Sequence, residues 1–323
     1  LPAQRRATQL IENVGLNPAL FPSATDSFGD QGRLRRETAT ELGLSSETRV
    51  TFRAGDQHSN AVGLGVMEPG SAACAAGTSG VIFSVTDAPV IDRRNRINTF
   101  LHVTSCGEAE RSVTVLCINA VGIAYSWLRR LLSAASDGSK GDGKTRFSYE
   151  DLNALISSAS IAEEEIICIP FGNGVERMLG KSNPGFSLHG VDLTRHSPAD
   201  LARAVLEGVA FAFAYGNKVL RDLGVEFSTL RGAEAGLLRN PLFCELLASI
   251  LETPIELFRA DPAFGAAIGA AVGAGSFDSI AEARCGINSH RIVQPDPRLR
   301  SRLEEPYGRW VRILTTITTE GRK

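Results

Sequence analysis

Apolar residues fall along this chain in two rhythms. Short alternating or continuous runs, 71-SAACAA-76 and 81-VIFSVTD-87, are joined by 77-GTSG-80 and predict a β-hairpin. Similar runs predict strands at 49–55, 98–104, 111–117, 165–170, 227–231 and 254–258. A slower rhythm predicts helices at 4–14, 34–44, 118–132, 149–158, 241–252, 263–275 and 296–318. Ile118, Val121, Tyr125, Leu128 and Leu132 share one face of the 118–132 helix. The segment after Asp56, "QHSNAVGLGV", is small and weakly apolar and reads as a helix packed closely on a neighbour.

The best-marked helix spans 198–223. Ser197 is its N-cap, Pro198 its first residue, Asp200 completes a capping box and Gly224 ends it. Leu201, Ala204, Val205, Gly208, Ala212, Tyr215 and Val219 form its buried stripe. The segments 133–147 and 171–187 read as a linker and a Gly/Asn-rich loop, and 296–318 as a surface helix.

Composition narrows the function classes. A formal net charge of -2 over 323 residues gives no reason to expect nucleic acid or an acidic membrane as partner. The longest apolar run, 263–277, is too short for a membrane helix. Six cysteines without a C-x-x-C pair behave as buried hydrophobes, which points to a reducing cytoplasm. Five histidines lack metal-ligand spacing; His58 and His102 read as core or surface residues. No signal peptide is visible, and a start at Leu1 without methionine reads as a fragment or processed piece.

Gly138, Gly143, Lys144 and Thr145 match the spacing of a P-loop. A P-loop joins a buried strand to a helix N-terminus, so that backbone N–H groups face the phosphates. Here a helix precedes the match and none directly follows it, so a solvated linker is expected.

Two other stretches are better placed. Asp56 follows an apolar strand and opens a helix, which suits a carboxylate base facing a cleft, or simply a helix cap. Thr78 and Ser79 sit between Gly77 and Gly80, a turn able to offer N–H groups and hydroxyls to an anion, or an ordinary hairpin.

Seven segments in order, "AGDQ", "GTSGV", "GIAYSWLRR", "IPFGNGVER", "ARAVLEGVAFAF", "GLLRNPLFCELLASIL" and "FGAAIGAA", resemble the carboxy-terminal lobe of the FGGY carbohydrate kinases. The xylulokinase-like branch is the most similar. The resemblance covers residues 8–318 and implies an α/β, ribonuclease-H-like fold, a mixed sheet flanked by helices, shared by actin, sugar kinases and heat-shock ATPases. Residues 1–48 would be a remnant or linker from a first lobe that is otherwise missing, and 49–323 the carboxy-terminal ATPase lobe.

The implied activity is ATP-dependent phosphorylation of a sugar hydroxyl, with ATP and Mg2+ as cofactors, first of all D-xylulose to D-xylulose 5-phosphate. Another ketose or a polyol, or a non-catalytic nucleotide-binding remnant, are the alternatives. The implied partners are a small sugar and ATP; a homodimer is compatible with the pattern. Carried over by residue, Asp56 would be the general base and Gln57 a sugar contact. Gly77 and Thr78 would hold the β- and γ-phosphates, Gly122 would let backbone approach them, and Gly236 with Asn240 would form the adenosine turn.

The turn 233-AEAGLLRN-240 is bulkier than the family's run of glycines and predicts a narrower adenine slot. Glu176 and Arg177 read as a structural ion pair, and Gly265, Gly269 and Gly273 as close helix packing behind the nucleotide site. With the first lobe missing, negligible kinase activity is expected of residues 1–323 alone.

Overall fold

The computed structural model describes residues 7–105, 111–119, 121–136, 147–159 and 166–320. The P-loop-like match, at 138–145, lies outside the described residues. Nine strands are described: β1 (Gly70–Ala76), β2 (Gly80–Thr86), β3 (Asn98–Leu101), β4 (Ser112–Ile118), β5 (Ile167–Phe171), β6 (Gly185–His189), β7 (Phe227–Ala233), β8 (Ile255–Phe258) and β9 (Arg291–Val293). Seven of them form one sheet in the order β3-β4-β2-β1-β7-β8-β9, while β5 and β6 pair separately.

The antiparallel meander β1-β2-β4 is continued on its other side by β7 and β8, both parallel to β1 in direction. Parallel pairing needs crossovers, and helices supply them. This mixed sheet flanked by helices is the architecture that the resemblance implies.

The period-two pattern sends alternate residues to opposite faces of the sheet. Ala72, Cys74, Ile82, Leu116 and Ile118 face the larger core; Ala73, Phe83, Val113 and Val115 face a smaller one. Among the helices are α1 (Thr8–Asn13), α2 (Arg36–Leu42), α3 (Asp56–Leu64), α4 (Val121–Ser136), α5 (Tyr149–Ser157), α6 (Pro198–Arg221), α7 (Pro241–Leu251), α8 (Pro262–Gly273), α9 (Ile280–Ala283) and α10 (Pro297–Glu320). Residues of α4 to α7 and α10 contribute to the larger core, and Ala61 and Leu64 of α3 to the smaller.

Helix α6 begins as its sequence signals direct. Ser197 and Asp200 form the capping box, with Pro198 at the first position. It is buried almost all round rather than along one stripe.

Four expectations need correction. Residues 49–55 join no sheet; they make only isolated bridges, Phe28 with Phe52 and Arg33 with Arg49. Ile118 ends β4, so α4 starts at Val121. Part of the 171–187 loop is strand β6. The closing helix is no mere surface element: Leu303, Trp310 and Leu314 are buried, and Trp310 Nε1 donates to the Cys168 carbonyl at 2.8 Å.

Candidate active site

The β1–β2 turn stands at the end of the two central strands, and two other chain segments close on it. The Gly122 amide at the start of α4 donates to the Gly77 carbonyl at 2.9 Å. A Cβ on Gly122 would lie 2.4 Å from that carbonyl oxygen. A Cβ on Gly236, which has a φ of 56°, would lie 2.2 Å from the Ala76 carbonyl oxygen. Glycine at 122 and 236 is therefore demanded by backbone crossing backbone. Gly77 differs, because a side chain there would meet nothing within 4 Å.

That open side faces a cavity of about 590 Å³. Gly77, Thr78, Gly122, Gly236 and Asn240 all line it, so the structure brings together the five residues placed on the nucleotide. Its size falls in the range of small-molecule sites. The N-terminus of α4 abuts the turn, which adds a partial positive charge where an anion would rest.

The wall opposite the turn is aromatic. Tyr125 and Tyr149 stack at 5.8 Å with an interplanar angle of 11°. The Arg129 guanidinium covers the Tyr149 ring at 4.7 Å, and the Ser126 and Tyr149 hydroxyls are 2.7 Å apart. Tyr125 is hydrogen-bonded to Asn153 Oδ1, and burial pushes its phenol up to about 12. Arg130 and Arg239 bring positive charge to the same cavity, and Glu150 one negative charge.

Asn240 lines this cavity with its polar atoms already engaged. Its Oδ1 accepts from the Phe243 amide at 3.1 Å and caps α7. Its Nδ2 donates to Asn153 Oδ1 at 2.8 Å and to the Tyr125 hydroxyl at 3.3 Å. Asn240→Ala removes the cap and two side-chain hydrogen bonds, while Tyr125 and Asn153 still pair with each other, so urea denaturation is expected to show a loss of about 1 kcal/mol. The turn's bulk is divided: Leu238 is buried in the core, where Gly232 leaves it room, while Leu237 and Arg239 line the cavity.

Asp56 approaches from the other face of the sheet. It is the first residue of α3, is exposed, and accepts from the Gln57 amide at 2.8 Å; the N-cap itself is Gly55. Gln57 is half-buried beside it. The Cys117 thiol is hydrogen-bonded to Glu176 and feels the Asp56 carboxylate; burial first, then these charges, push it up to about 12. Cys117 pairs with Val81, next to Gly80 at the end of the hairpin turn. Asp56, Glu176 and the β1–β2 turn thus gather around one set of strand ends.

The Glu176–Arg177 contact is long, 3.7 Å, so the pair is a poor structural ion pair. Arg177 instead donates to Asn95 Oδ1 at 3.3 Å. His58 packs edge-on against Phe83 with centroids 5.2 Å apart, and burial lowers its basicity. His102 is buried and pushed down to about 4 by desolvation. Both read as core histidines.

The family model for the FGGY family of carbohydrate kinases, C-terminal domain, matches residues 72–274. The chain belongs to the FGGY carbohydrate kinases. The xylulose kinase of Escherichia coli K12 is 30% identical over 268 residues, spanning 81% of this chain and 50% of that protein. The Staphylococcus epidermidis (ATCC 12228) enzyme is 28% identical over 263 residues, with the same coverage of 81% and 50%. The chain thus spans about half the length of the curated relatives it matches. Among solved structures, the xylulose kinase of Rhodospirillum rubrum superposes with a TM-score of 0.81 at 23% identity, covering 100% of this chain and 62% of that one. A Plasmodium falciparum glycerol kinase with ADP gives 0.79 at 18% identity, covering 96% and 60%.

Within this FGGY lobe several cavity residues escaped the sequence reading. Tyr149 and Asn153 lie in none of the seven segments; Arg130 and Arg239 lie within two of them but were given no role, and Tyr125 was read as a buried helix position. Cys117 gave no signal, and Glu176 was read only as an ion-pair partner of Arg177, because a β-strand end and a loop meet near Asp56 only through the fold.

Proposed function

We propose that this chain supplies the nucleotide-holding lobe of an ATP-dependent sugar kinase, with D-xylulose, phosphorylated at its 5-hydroxyl, as the first acceptor to test. The observation that carries the reading is the convergence of Gly77, Thr78, Gly122, Gly236 and Asn240 on one cavity, with exposed Asp56 across the strand ends. The division at residue 48, with the preceding segment leading in from a first lobe, belongs to the same proposal.

The cavity fits a nucleoside triphosphate. Gly77 has no side chain to occupy the open side, and the amides of the turn and of the α4 N-terminus suit phosphate oxygens. The tyrosine pair and Leu237 offer an apolar wall to a base. Among the described residues no three His, Cys, Asp or Glu side chains form a metal-sized cluster, so no step is assigned to a protein-held ion. Mg2+ is expected to arrive on the phosphates.

In the reaction, Asp56 accepts the proton of the acceptor hydroxyl as that oxygen bonds to the γ-phosphorus and the bond to the ADP oxygen breaks. The turn of Gly77 and Thr78 holds the phosphates in line, and Gln57 lies where the acceptor's other hydroxyls would come. Five described cysteines are free, which suits a reducing compartment.

Calorimetric titration of this chain with ADP tests the reading. Binding is expected, and Gly77→Val should weaken it by about tenfold or more with an unchanged melting temperature. No binding, or a Gly77→Val variant that binds as the wild type does, would remove the basis for the proposal. A panel of xylulose, gluconate and glycerol, tested with an enzyme carrying both lobes, then decides among acceptors. The xylulose kinases among the relatives favour the first; a gluconate kinase and a glycerol kinase stand among the similar structures.

A further inference from the structure

A second cavity, of about 550 Å³, is lined by other residues than the first. It lies between the loop leading into β3, the 178–182 turn, α6 and the last turns of α10. Arg94, Arg96, Ser182, Tyr215, Thr315 and Thr318 give it a polar lining, and no acidic residue is part of it.

The two arginines are set differently. Arg96 is anchored by buried Asp92, with Nε donating to Oδ2 at 2.9 Å and Nη2 to Oδ1 at 3.2 Å. That hydrogen bonding holds the Asp92 carboxyl down at about 2, so the pair persists across the neutral range. The fork fixes the guanidinium in space and leaves Nη1 to face a ligand. The exposed Arg94 side chain has no hydrogen-bond or carboxylate partner among the described residues. The other acid whose charge reaches Arg96, Asp222, is engaged by Lys218 at 3.0 Å.

The hydroxyls on the α10 side point their protons inward. Thr315 Oγ1 donates to the Val311 carbonyl at 2.8 Å, and Thr318 Oγ1 to the Leu314 carbonyl at 2.8 Å. What they present to the cavity is lone pairs, which suit donor hydroxyls and repel an anion. One end of the cavity therefore takes negative charge and the other takes O–H groups. We propose that this cavity is a second small-molecule site, for a phosphorylated sugar or polyol, with its phosphate on Arg94 and Arg96 and its hydroxyls on Thr315 and Thr318. The site shares no residue with the nucleotide cavity.

Calorimetry of this chain with sorbitol 6-phosphate, inorganic phosphate and free sorbitol tests the assignment. Sorbitol 6-phosphate should bind more tightly than either part. Arg94→Gln should weaken it by about tenfold or more, and Gly77→Val should leave it unchanged. Thr318→Val, which keeps the volume and removes the acceptor, should weaken sorbitol 6-phosphate while leaving inorganic phosphate as it was. Binding that survives Arg94→Gln, binding that disappears with Gly77→Val, or no binding at all would overturn the proposal. Equal affinity for inorganic phosphate and the sugar phosphate would overturn it too. Loss of ADP binding alone would defeat the kinase reading and leave this one standing.

Discussion

Asp56→Asn is expected to lower kcat by about a hundredfold or more in an enzyme carrying both lobes, the range seen when a positioned base is lost. The choice of asparagine matters. Asp56 occupies the first turn of α3 and accepts the Gln57 amide through Oδ1, a bond an asparagine oxygen can keep. The carboxylate is exposed and forms no ion pair among the described residues, so its removal leaves no stranded charge. Melting temperature and ADP affinity should match the wild type, which separates chemistry from folding. Steady-state assays at saturating sugar and ATP provide the check; a variant within about threefold of wild type would remove Asp56 from the role of base.

The second large effect is structural. Gly265→Val should destabilise the chain by about 3 kcal/mol or more, because the new atoms have nowhere to go. A Cβ at this position would stand 1.7 Å from the Ser59 carbonyl oxygen and 2.7 Å from the Gly63 nitrogen. Both are backbone atoms of α3, so no rotamer change relieves the clash and the helices must part. Gly269 and Gly273 repeat the close approach against Phe52 and the Thr51 carbonyl. Since α3 carries Asp56, activity should fall with stability. Urea denaturation of the variant beside Gly77→Val gives the contrast: a large shift for the first and none for the second.

These glycines show how far sequence could be trusted. Their spacing in the 263–275 segment pointed to close helix packing, and that is what they do. It placed the packing behind the nucleotide site, whereas Gly265 meets α3 and Gly269 and Gly273 meet residues 51–52, because a glycine spacing says how near a neighbour comes and not which neighbour it is. The β1–β2 hairpin and the start of α6 were legible from turn glycines and a capping box, both local signals.

Non-local pairing was not. β6 is a five-residue stretch, too short for its alternation of Phe186 and Leu188 with Ser187 and His189 to stand out in a loop-like segment, and it exists by pairing with β5. The 49–55 segment has strand-like residues, yet its Thr51 hydroxyl is taken by the Ala270 carbonyl at 2.7 Å and its ladder never extends. In α10, Leu303, Tyr307, Trp310 and Leu314 recur at helical spacing toward the core, but the charged residues between them masked the stripe.

Gly77, Gly122 and Gly236 meet through their main chains, so three distant stretches of the polypeptide behave as one articulated joint. Around Gly236 stand alanine, glutamate and leucine, and Gly236 itself is the residue whose hydrogen faces another peptide. What constrains this turn is the clearance between crossing segments. Its outward side is left free to vary.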